Sequence, residues 1–388
     1  MSQPRAGKKE EKMNRIIQTL DIEHACHGIY TDKQFIFKDF KDILKANQLA
    51  WSHSPSIETD EDYNFLILFA KGKPLSEFSN DPQTIFCAAE LLRSQREAAA
   101  TAKIDLSELC FFDIMPDHLM HKWFSSREAA MHRILELVKK PDDYDILHKI
   151  HVVANTISHQ PLKVGAITQK VKYDIFSSAT GRLATTKGSY PILSIKKEER
   201  TAITPQNDLF LELDLNGAEI RTLLAFSGVN QPIEDIHMWN MKSMPPWVTR
   251  AEAKEQFFAW LYNPKVENEL YEKYYNKKVY LEHFDGKNVK TPLGRSLPVD
   301  ERKALNYLLQ STTSDIVLDN AYQIMKKIKT RKSFVAFTMH DSVVLDFARE
   351  DHEMVPEIRE TFETNQFGRF LSSISIGKNF GDMKEVEV

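Results

Sequence analysis

Two aspartates that end β-type segments are the residues of this sequence best suited to chemistry. Asp341 lies between the alternating apolar runs 335–339 and 343–347, and this period-two pattern predicts a β-hairpin with Asp341 at its tip. Asp214 ends the apolar run LFLELD, and helical spacing follows in AEIRTLLAF, which places Asp214 at the C-terminal end of a strand. Taken alone, each aspartate is more simply explained as a turn or capping residue.

As a pair, the two aspartates suggest a metal site. Strands joined by a helical insert can be neighbours in one antiparallel sheet, and two carboxylates brought together there would repel unless a cation lay between them. Hard oxygen ligands favour Mg²⁺, which is usually held by one or two carboxylates and by substrate phosphates. Two such ions stabilise both the attacking and the leaving oxygen of an in-line displacement. The pair therefore predicts phosphoryl transfer.

The segment between the aspartates supplies a partner for phosphates. Thr249 is a predicted helix N-cap and Pro264 a predicted stop. Basic and then aromatic residues recur on one face of this helix at every fourth position: Arg250, Lys254, Phe258 and Tyr262. A triphosphate could lie along the cations while a nucleobase stacks on the rings. An ordinary amphipathic helix with solvated cations explains the same spacing.

Together and in this order, three segments resemble the polymerase motifs of the family A (DNA polymerase I-like) DNA polymerases. They are DLNGAEIR with Asp214, RAEAKEQFFAWLY, and MHDS with Asp341. Further matches are TGRL at 180–183, DIH at 235–237, TPLGR at 291–295, ERKALNYLLQSTTSD at 301–315 and GKNF at 377–380. Each match alone is weak, but their joint occurrence in order across most of residues 165 to 385 is specific.

The resemblance implies an α/β (α+β) right-hand fold with an antiparallel palm sheet, helical fingers and a reduced helical thumb. Helical periodicity that begins at Asp81 and Pro82 supports the thumb. The expected parts are a small N-terminal region of unclear fold at 1–80, a helical thumb-like region at 81–160, the first part of the palm at 161–240, fingers at 241–300 and the second part of the palm at 301–388.

The resemblance also implies a role for each matching position. The expected ligands of two Mg²⁺ ions, for which Mn²⁺ could substitute, are Asp214, Asp341 and the carbonyl of Leu215. The expected catalytic residues are Asp214, Asp341 and Lys254. The expected nucleotide-binding residues are Glu219, His237, Arg250, Lys254, Phe258 and Tyr262. The expected contacts with primer-template DNA are Arg182, Arg302, Asn306, Gln310 and His340.

Within the nucleotide-binding set the implied roles differ. Arg250 and Lys254 would hold the triphosphate, Phe258 would pack against the sugar, and Tyr262 would guard the template-base position. Glu219 matches the family's steric gate, which fills the space of a ribose 2′-hydroxyl and so favours dNTPs.

The implied function is template-directed DNA synthesis, in which the primer 3′-hydroxyl attacks the α-phosphorus of a dNTP. No 3′–5′ proofreading is expected, because only about 80 residues precede the helical segment. Three positions depart from the family: Ser342 replaces a glutamate, and Asn263 and Ser311 replace glycines. Single-subunit RNA polymerases can carry His-Asp-Ser, so an RNA polymerase-like nucleotidyltransferase is one alternative. A non-enzymatic, palm-derived DNA-binding module is another.

Composition limits the partners and the compartment. A formal net charge of −4 and a pI near 6.4 exclude a globally basic surface, so contacts with DNA must come from local clusters of Lys and Arg. Three scattered cysteines argue against a disulfide framework. Since no apolar run approaches the ~18 residues of a membrane span, we expect a cytoplasmic protein without a membrane partner. Small size and missing proofreading favour a viral or phage enzyme, which would act in the host cytoplasm.

Overall fold

A computed structural model describes most of the chain. The described residues are 16–20, 26–46, 50–53, 66–73, 75–81, 83, 90, 93–94, 97–104, 116–263 and 265–387. Much of the helix predicted from Asp81, including Pro82, and the predicted stop Pro264 lie outside them. Contacts between Cα atoms divide the chain into two compact units, residues 1–141 and 142–388.

The first unit contains a small mixed sheet and a long helix. Its strands are β1 (Ile16–Leu20), β2 (Cys26–Thr31), β3 (Gln34–Ile36) and β4 (Ala50–His53), in the order β3-β2-β1-β4. β4 is parallel to β1, and the other pairs are antiparallel. The helices whose bounds lie within its described residues are α1 (Lys41–Ala46), α2 (Leu66–Ala70) and α3 (Asp117–Leu137), and residues 97–102 are also helical. α3 lies within the region 81–160, for which the sequence predicts helical structure.

The second unit is built on a five-stranded antiparallel sheet. Its strands are β10 (Leu209–Leu215), β13 (Phe334–Met339), β14 (Ser342–Phe347), β17 (Ser372–Gly377) and β18 (Lys384–Val386). Their order across the sheet is β13-β14-β10-β17-β18. Apolar residues from β10, β13 and β14 are fully buried, among them Phe210, Leu213, Phe337 and Val343. The predicted α+β class with an antiparallel sheet is confirmed.

One long helix, α9 (Glu301–Lys327), packs against three others: α4 (Tyr144–His159), α5 (Ala218–Phe226) and α10 (Val355–Glu363). No glycine or proline interrupts α9, and residues 311–318 in its middle are buried, so packing rather than intrinsic helix propensity accounts for its length. The remaining helices are α6 (Ile236–Met241), α7 (Arg250–Tyr262) and α8 (Glu269–Glu272). Among the described segments, no helix is both long and apolar enough to cross a membrane.

Short strands complete the second unit. They are β5 (Pro161–Val164), β6 (Ile167–Lys170), β7 (Tyr173–Asp174), β8 (Ala184–Thr185), β9 (Ile203–Thr204), β11 (Asn288–Lys290), β12 (Ser296–Pro298), β15 (Thr364–Asn365) and β16 (Gly368–Arg369). A three-stranded sheet has the order β6-β5-β9, and three two-stranded ribbons pair β7 with β8, β11 with β12 and β15 with β16.

Candidate active site

The hairpin of β13 and β14 carries Asp341 at its tip, as its alternating sequence predicts. Met339 pairs with Ser342, so His340 and Asp341 form a two-residue turn. His340 has a φ of 54°, a left-handed conformation that histidine adopts more readily than most residues, and its side chain is exposed. The central strand of the sheet, β10, is the antiparallel neighbour of β14. The backbone N–H of Leu215 donates to the Asp341 carbonyl oxygen at 3.2 Å, which ties the end of β10 to the hairpin tip.

Asp214 is held at this strand end by the turn into α5. Gly217 precedes the helix with a φ of 59°, and a Cβ atom there would lie 2.4 Å from Cγ2 of Ile236. Glycine is therefore required both for the left-handed turn and for the close approach of α6. This turn places the first residues of α5, including Glu219, beside Asp214.

The two strand ends open into a cleft of about 740 Å³. It is lined by eight of the residues that the sequence predicts for the site: Asp214, Leu215, Glu219, His237, Arg250, Lys254, Phe258 and Asp341. Acidic groups from the sheet therefore face cations from α7 across one polar cleft. Their placement is a finding, whereas their individual roles stay predictions.

The basic and aromatic face of α7 points into this region because the other face is buried. Thr249 and Glu252 form a capping box that fixes the first turn of the helix. Phe257 and Trp260 are buried in an apolar cluster with Tyr271 and Tyr275. The opposite face leaves Arg250 and Lys254 exposed to the cleft, and the rings of Phe258 and Tyr262 stack with their centroids 6.0 Å apart.

Arg250 is held by an acidic partner that the sequence does not reveal. Its Nη2 lies 2.7 Å from Oδ2 of Asp235, the residue before α6. The Asn216 amide also donates to Asp235, at 2.6 Å. Burial alone would raise the pKa of Asp235, but hydrogen bonds from Arg250, Asn216 and the Met238 N–H lower it well below its ordinary value. Asp235 is therefore a permanent anion that positions Arg250.

Beside this pair, His237 is a neutral imidazole. Burial, together with the nearby cations Arg250 and Lys254, lowers its pKa to about 4 although Asp235 opposes the shift. Its Nδ1 has no hydrogen-bond partner within the described part of the chain. This predicted nucleotide-binding residue can thus donate or accept a hydrogen bond without adding charge.

Glu219 is the centre of a second network at the side of the cleft. It accepts hydrogen bonds from Arg182, whose Nη2 lies 2.7 Å from Oε1, and from the hydroxyl of Tyr262, which approaches Oε2. Burial and the charge of Asp341 raise the pKa of Glu219 while Tyr262 and Arg182 oppose the shift. Three predicted site residues from distant segments are therefore joined, and the glutamate is fixed in one orientation.

The other predicted DNA contacts lie outside the main cleft. Arg302 and Asn306, one turn apart on α9, line a neighbouring groove of about 680 Å³ together with Tyr262. Gln310 is half-buried two turns from Arg302 on the same helix, and His340 is exposed at the hairpin tip. Arg302, Asn306 and Gln310 follow one face of α9 at four-residue spacing, which suits contact with an extended partner.

The two aspartates are both unfavourably placed as anions. Burial, then the charges of Glu212 and Asp341, raise the pKa of Asp214 to about 7, although Lys254 opposes the shift. Burial also raises the pKa of Asp341, against the influence of Arg182 and His340. Asp214 is open to water in the cleft, yet protein atoms surround it closely enough to weaken its hydration. The strand ends therefore concentrate negative charge that a cation would stabilise.

This charge predicts a pH-dependent gain in stability for Asp214→Asn. The folded protein retains the proton on Asp214 up to about pH 7, whereas the unfolded chain releases it near the ordinary value of 3.8. The free energy of unfolding therefore falls as pH rises through that interval. In EDTA, Asp214→Asn should raise the melting temperature, and the gain over wild type should be larger at pH 8 than at pH 5. An equal gain at both pH values would contradict the assigned pKa.

The donor set fits magnesium. Two carboxylates and a backbone carbonyl are hard oxygen ligands, and Mg²⁺ commonly takes only one or two protein carboxylates and completes its shell with water and substrate phosphates. Within the described residues, no group of three or more His, Cys, Asp or Glu side chains is arranged to hold a metal ion. A site built on Asp214 and Asp341 would complete the shell of its ion with water, or with substrate phosphates when these are bound.

Besides Asp235, sequence reasoning missed two further residues that shape this site. Arg221 is fully buried, and its guanidinium donates to the carbonyl oxygens of Asn216, Pro232 and Glu234, which fixes the loop that leads to Asp235. Glu212 lies two residues before Asp214 and accepts a hydrogen bond from Ser342. The alternation of β10 could have placed Glu212 on the face of Asp214, but its partner depends on the register of β14.

Comparisons with known proteins give a likeness of structure only. No family model and no curated protein matches the sequence. Among solved structures, the chain is similar to the POL domain of Pol1 from M. smegmatis, in complex with DNA primer-template and dNTP, at 17% sequence identity and a TM-score of 0.48. The match covers 82% of this chain and 66% of that chain.

Proposed function

We propose that this protein is a template-directed DNA polymerase that adds dNTPs to a primer 3′-hydroxyl by two-metal phosphoryl transfer. One observation carries the proposal: Asp214 and Asp341 end adjacent antiparallel strands at a cleft whose opposite wall is the cationic and aromatic face of α7. The ordered sequence motifs support the same conclusion. In this proposal the five-stranded sheet is the palm, α7 belongs to the fingers, and residues 81–160 form the thumb.

The residues of the cleft would divide the work of binding. Asp214, Asp341 and the Leu215 carbonyl would hold two Mg²⁺ ions, which when bound supply charge stabilisation to the attacking and leaving oxygens. Lys254 is a compact cation suited to a terminal phosphate, and Arg250 offers a bidentate fork. Because Arg250 is paired with Asp235, an incoming triphosphate would compete with that carboxylate, while the neutral His237 adds a hydrogen bond.

Template and primer would lie along the neighbouring groove. Arg302, Asn306 and Gln310 form a polar line on α9, and Tyr262 borders both this groove and the network of Glu219. The side-chain N–H groups of these residues can donate hydrogen bonds to the minor-groove acceptors that all correct base pairs share. Arg182 and His340 would approach the primer end from the side of the hairpin.

Primer extension tests the proposal directly. The full chain, a labelled primer-template and Mg²⁺ are incubated with dNTPs or with rNTPs, and product length is measured. Template-dependent extension with dNTPs is the expected result. Extension with rNTPs alone would favour the RNA polymerase-like alternative, and DNA binding without any incorporation would favour the non-enzymatic module.

Glu219→Ala should relax the choice of sugar. Tyr262 and Arg182 hold the Glu219 carboxylate in one place, where it fills space beside Phe258 in the cleft. Its removal opens room for a 2′-hydroxyl, and steric discrimination of this size corresponds to about 1–3 kcal/mol, or about ten- to a hundredfold. The ratio of kcat/KM for dNTP and rNTP should fall by that factor. Glu198→Ala, which removes an exposed glutamate, should leave the ratio unchanged, and an unchanged ratio in Glu219→Ala would exclude the gate.

Other expectations extend the proposal. We expect the 388-residue chain to leave a mismatched primer terminus undigested, as an enzyme without 3′–5′ proofreading would, and release of nucleotides from that terminus would contradict this. A role in viral or phage DNA replication in the host cytoplasm is part of the same proposal.

A further inference from the structure

Glu212 is a carboxylate beside the candidate active site that the proposed mechanism leaves unused. It lies on β10 two residues before Asp214, so both side chains project from the same face of the sheet. Their Cα atoms are about 7 Å apart, since a strand rises ~3.3 Å per residue. On the neighbouring strand, Ser342 is directly opposite Asp214, and Val344 is opposite Glu212. Ser342 is therefore the diagonal neighbour of Glu212.

Ser342 is turned towards Glu212. Its side chain is buried, and its hydroxyl donates to Oε1 of Glu212 at 3.0 Å while also lying 3.1 Å from the Met339 carbonyl oxygen. A hydrogen bond to a carboxylate is stronger than one between neutral groups, and it stabilises the charged form. The residue after Asp341 thus orients a half-buried carboxylate on the adjacent strand and favours its charged form, although burial raises the pKa of Glu212.

A fixed anion at this distance changes the cation affinity of the strand ends. Coulomb energy falls only inversely with distance and is larger near protein than in bulk water, so Glu212 attracts a divalent ion at Asp214 without touching it. The absence of any group of three candidate ligand side chains among the described residues agrees with a role outside the ligand shell.

We propose that Glu212, held by Ser342, is a positioning residue that supplies a further negative charge behind Asp214 and Asp341 and thereby raises the affinity of the site for divalent cations. This inference rests on the proposed function. It assigns Ser342, a departure from the resembling family, the task of orienting a carboxylate that comes from the neighbouring strand.

Mn²⁺ binding to the full chain, without DNA or nucleotide, is the primary test. Glu212→Gln keeps an acceptor for Ser342 and removes only the charge. Its dissociation constant for Mn²⁺, measured by electron paramagnetic resonance of free Mn²⁺, should rise about tenfold, equivalent to ~1.4 kcal/mol. The Mg²⁺ concentration for half-maximal primer extension should rise by a similar factor, with a smaller change in rate at saturating Mg²⁺.

Glu350→Gln is the matched control. It removes the same charge beyond the far end of β14, roughly 20 Å from the hairpin tip, and should leave Mn²⁺ affinity unchanged. Ser342→Ala keeps the charge of Glu212 but removes the hydrogen bond that orients its side chain. It should weaken Mn²⁺ binding by about three- to tenfold, which corresponds to the free energy of one hydrogen bond. This second variant decides the matter if Glu212→Gln does not fold.

The outcomes separate the inference from the proposed function. If the wild-type chain binds Mn²⁺ and extends primers while a folded Glu212→Gln variant has the wild-type Mn²⁺ affinity, the inference is wrong and the polymerase proposal stands. If Glu212→Gln does not fold, an unchanged Mn²⁺ affinity in Ser342→Ala likewise shows that the inference is wrong. If the wild-type chain neither binds Mn²⁺ nor extends primers, the proposed function itself fails.

Discussion

Primer extension should fall by about a thousandfold or more when either Asp214 or Asp341 is replaced by asparagine. Asparagine keeps the size of the side chain and one oxygen but removes the charge that draws a cation to the strand ends. Charge stabilisation by bound metal accounts for several kcal/mol of a phosphoryl-transfer barrier, and about 4 kcal/mol corresponds to a thousandfold in rate. The measurement is the single-turnover rate of dNTP incorporation at saturating primer-template.

The control for this prediction lies on the same strand pair. Asp208 precedes β10 at the end opposite Asp214, roughly 20 Å away, and its carboxylate accepts the Arg349 N–H at 2.8 Å. Asp208→Asn should therefore retain most of the activity. Because the charge of Asp214 is unfavourable for folding without a cation, Asp214→Asn should also melt no earlier than wild type at pH 8. Retained extension in a folded Asp214→Asn variant would contradict the proposed site.

Local features of the site could be predicted from sequence because they depend on neighbours in the chain. Alternation of apolar residues predicts the hairpin with Asp341 at its tip. Thr249 begins α7 through a capping box with Glu252, which is only three residues away in the chain. Four-residue spacing places Arg250 and Lys254 on one face, and both line the cleft in the structure, while their roles stay predictions. Residue periodicity predicts the type of each element and which residues share a face, and it does so independently of the rest of the fold.

Contacts between distant segments could not be predicted in this way. The Arg250 and Asp235 pair depends on the angle between α6 and α7, and the approach of Glu212 to Ser342 depends on strand register across 130 residues of chain. A shift of one residue in that register would turn Ser342 to the opposite face of the sheet. The sequence showed that Ser342 is unusual, but only the paired strands show what it contacts.

The N-terminal unit illustrates a different limit. Its first 80 residues contain short strands whose apolar runs are too brief to distinguish from helix segments, and the sequence therefore predicted no definite fold. The structure shows a four-stranded mixed sheet, in which β4 follows α1 in the chain and is parallel to β1. The structure divides the chain into only two compact units, residues 1–141 and 142–388. The finer division into five parts therefore stays a prediction.

Removal of one partner from the buried ion pair Arg295 and Asp315 should destabilise the second unit by about 3–5 kcal/mol. Nη2 of Arg295 lies 2.5 Å from Oδ1 of Asp315, and Nε lies 3.1 Å from each carboxylate oxygen. Both side chains are almost completely buried. Although burial opposes it, the charge of Asp315 raises the pKa of Arg295, so Asp315→Ala would leave an uncompensated buried cation.

This pair also supports the predicted DNA-contacting residue Arg182. Gly181 has a φ of 72°, and a Cβ atom there would lie 2.7 Å from Nη1 of Arg295. The guanidinium thus forms the surface on which the backbone before Arg182 rests. Asp315→Ala should therefore loosen the network of Arg182 and Glu219 as well as lower stability.

A double-mutant cycle in urea provides the measurement. Arg295→Met combined with Asp315→Leu removes both charges and retains much of the volume, so the double variant should recover most of the stability lost in either single variant. The exposed pair of Lys332 and Glu350, 2.8 Å apart, is the reference, because removal of either partner should cost less than about 1 kcal/mol. If replacing Arg295 or Asp315 alone costs less than about 1 kcal/mol, water reaches the pair. The pair would then not explain how the backbone before Arg182 is supported.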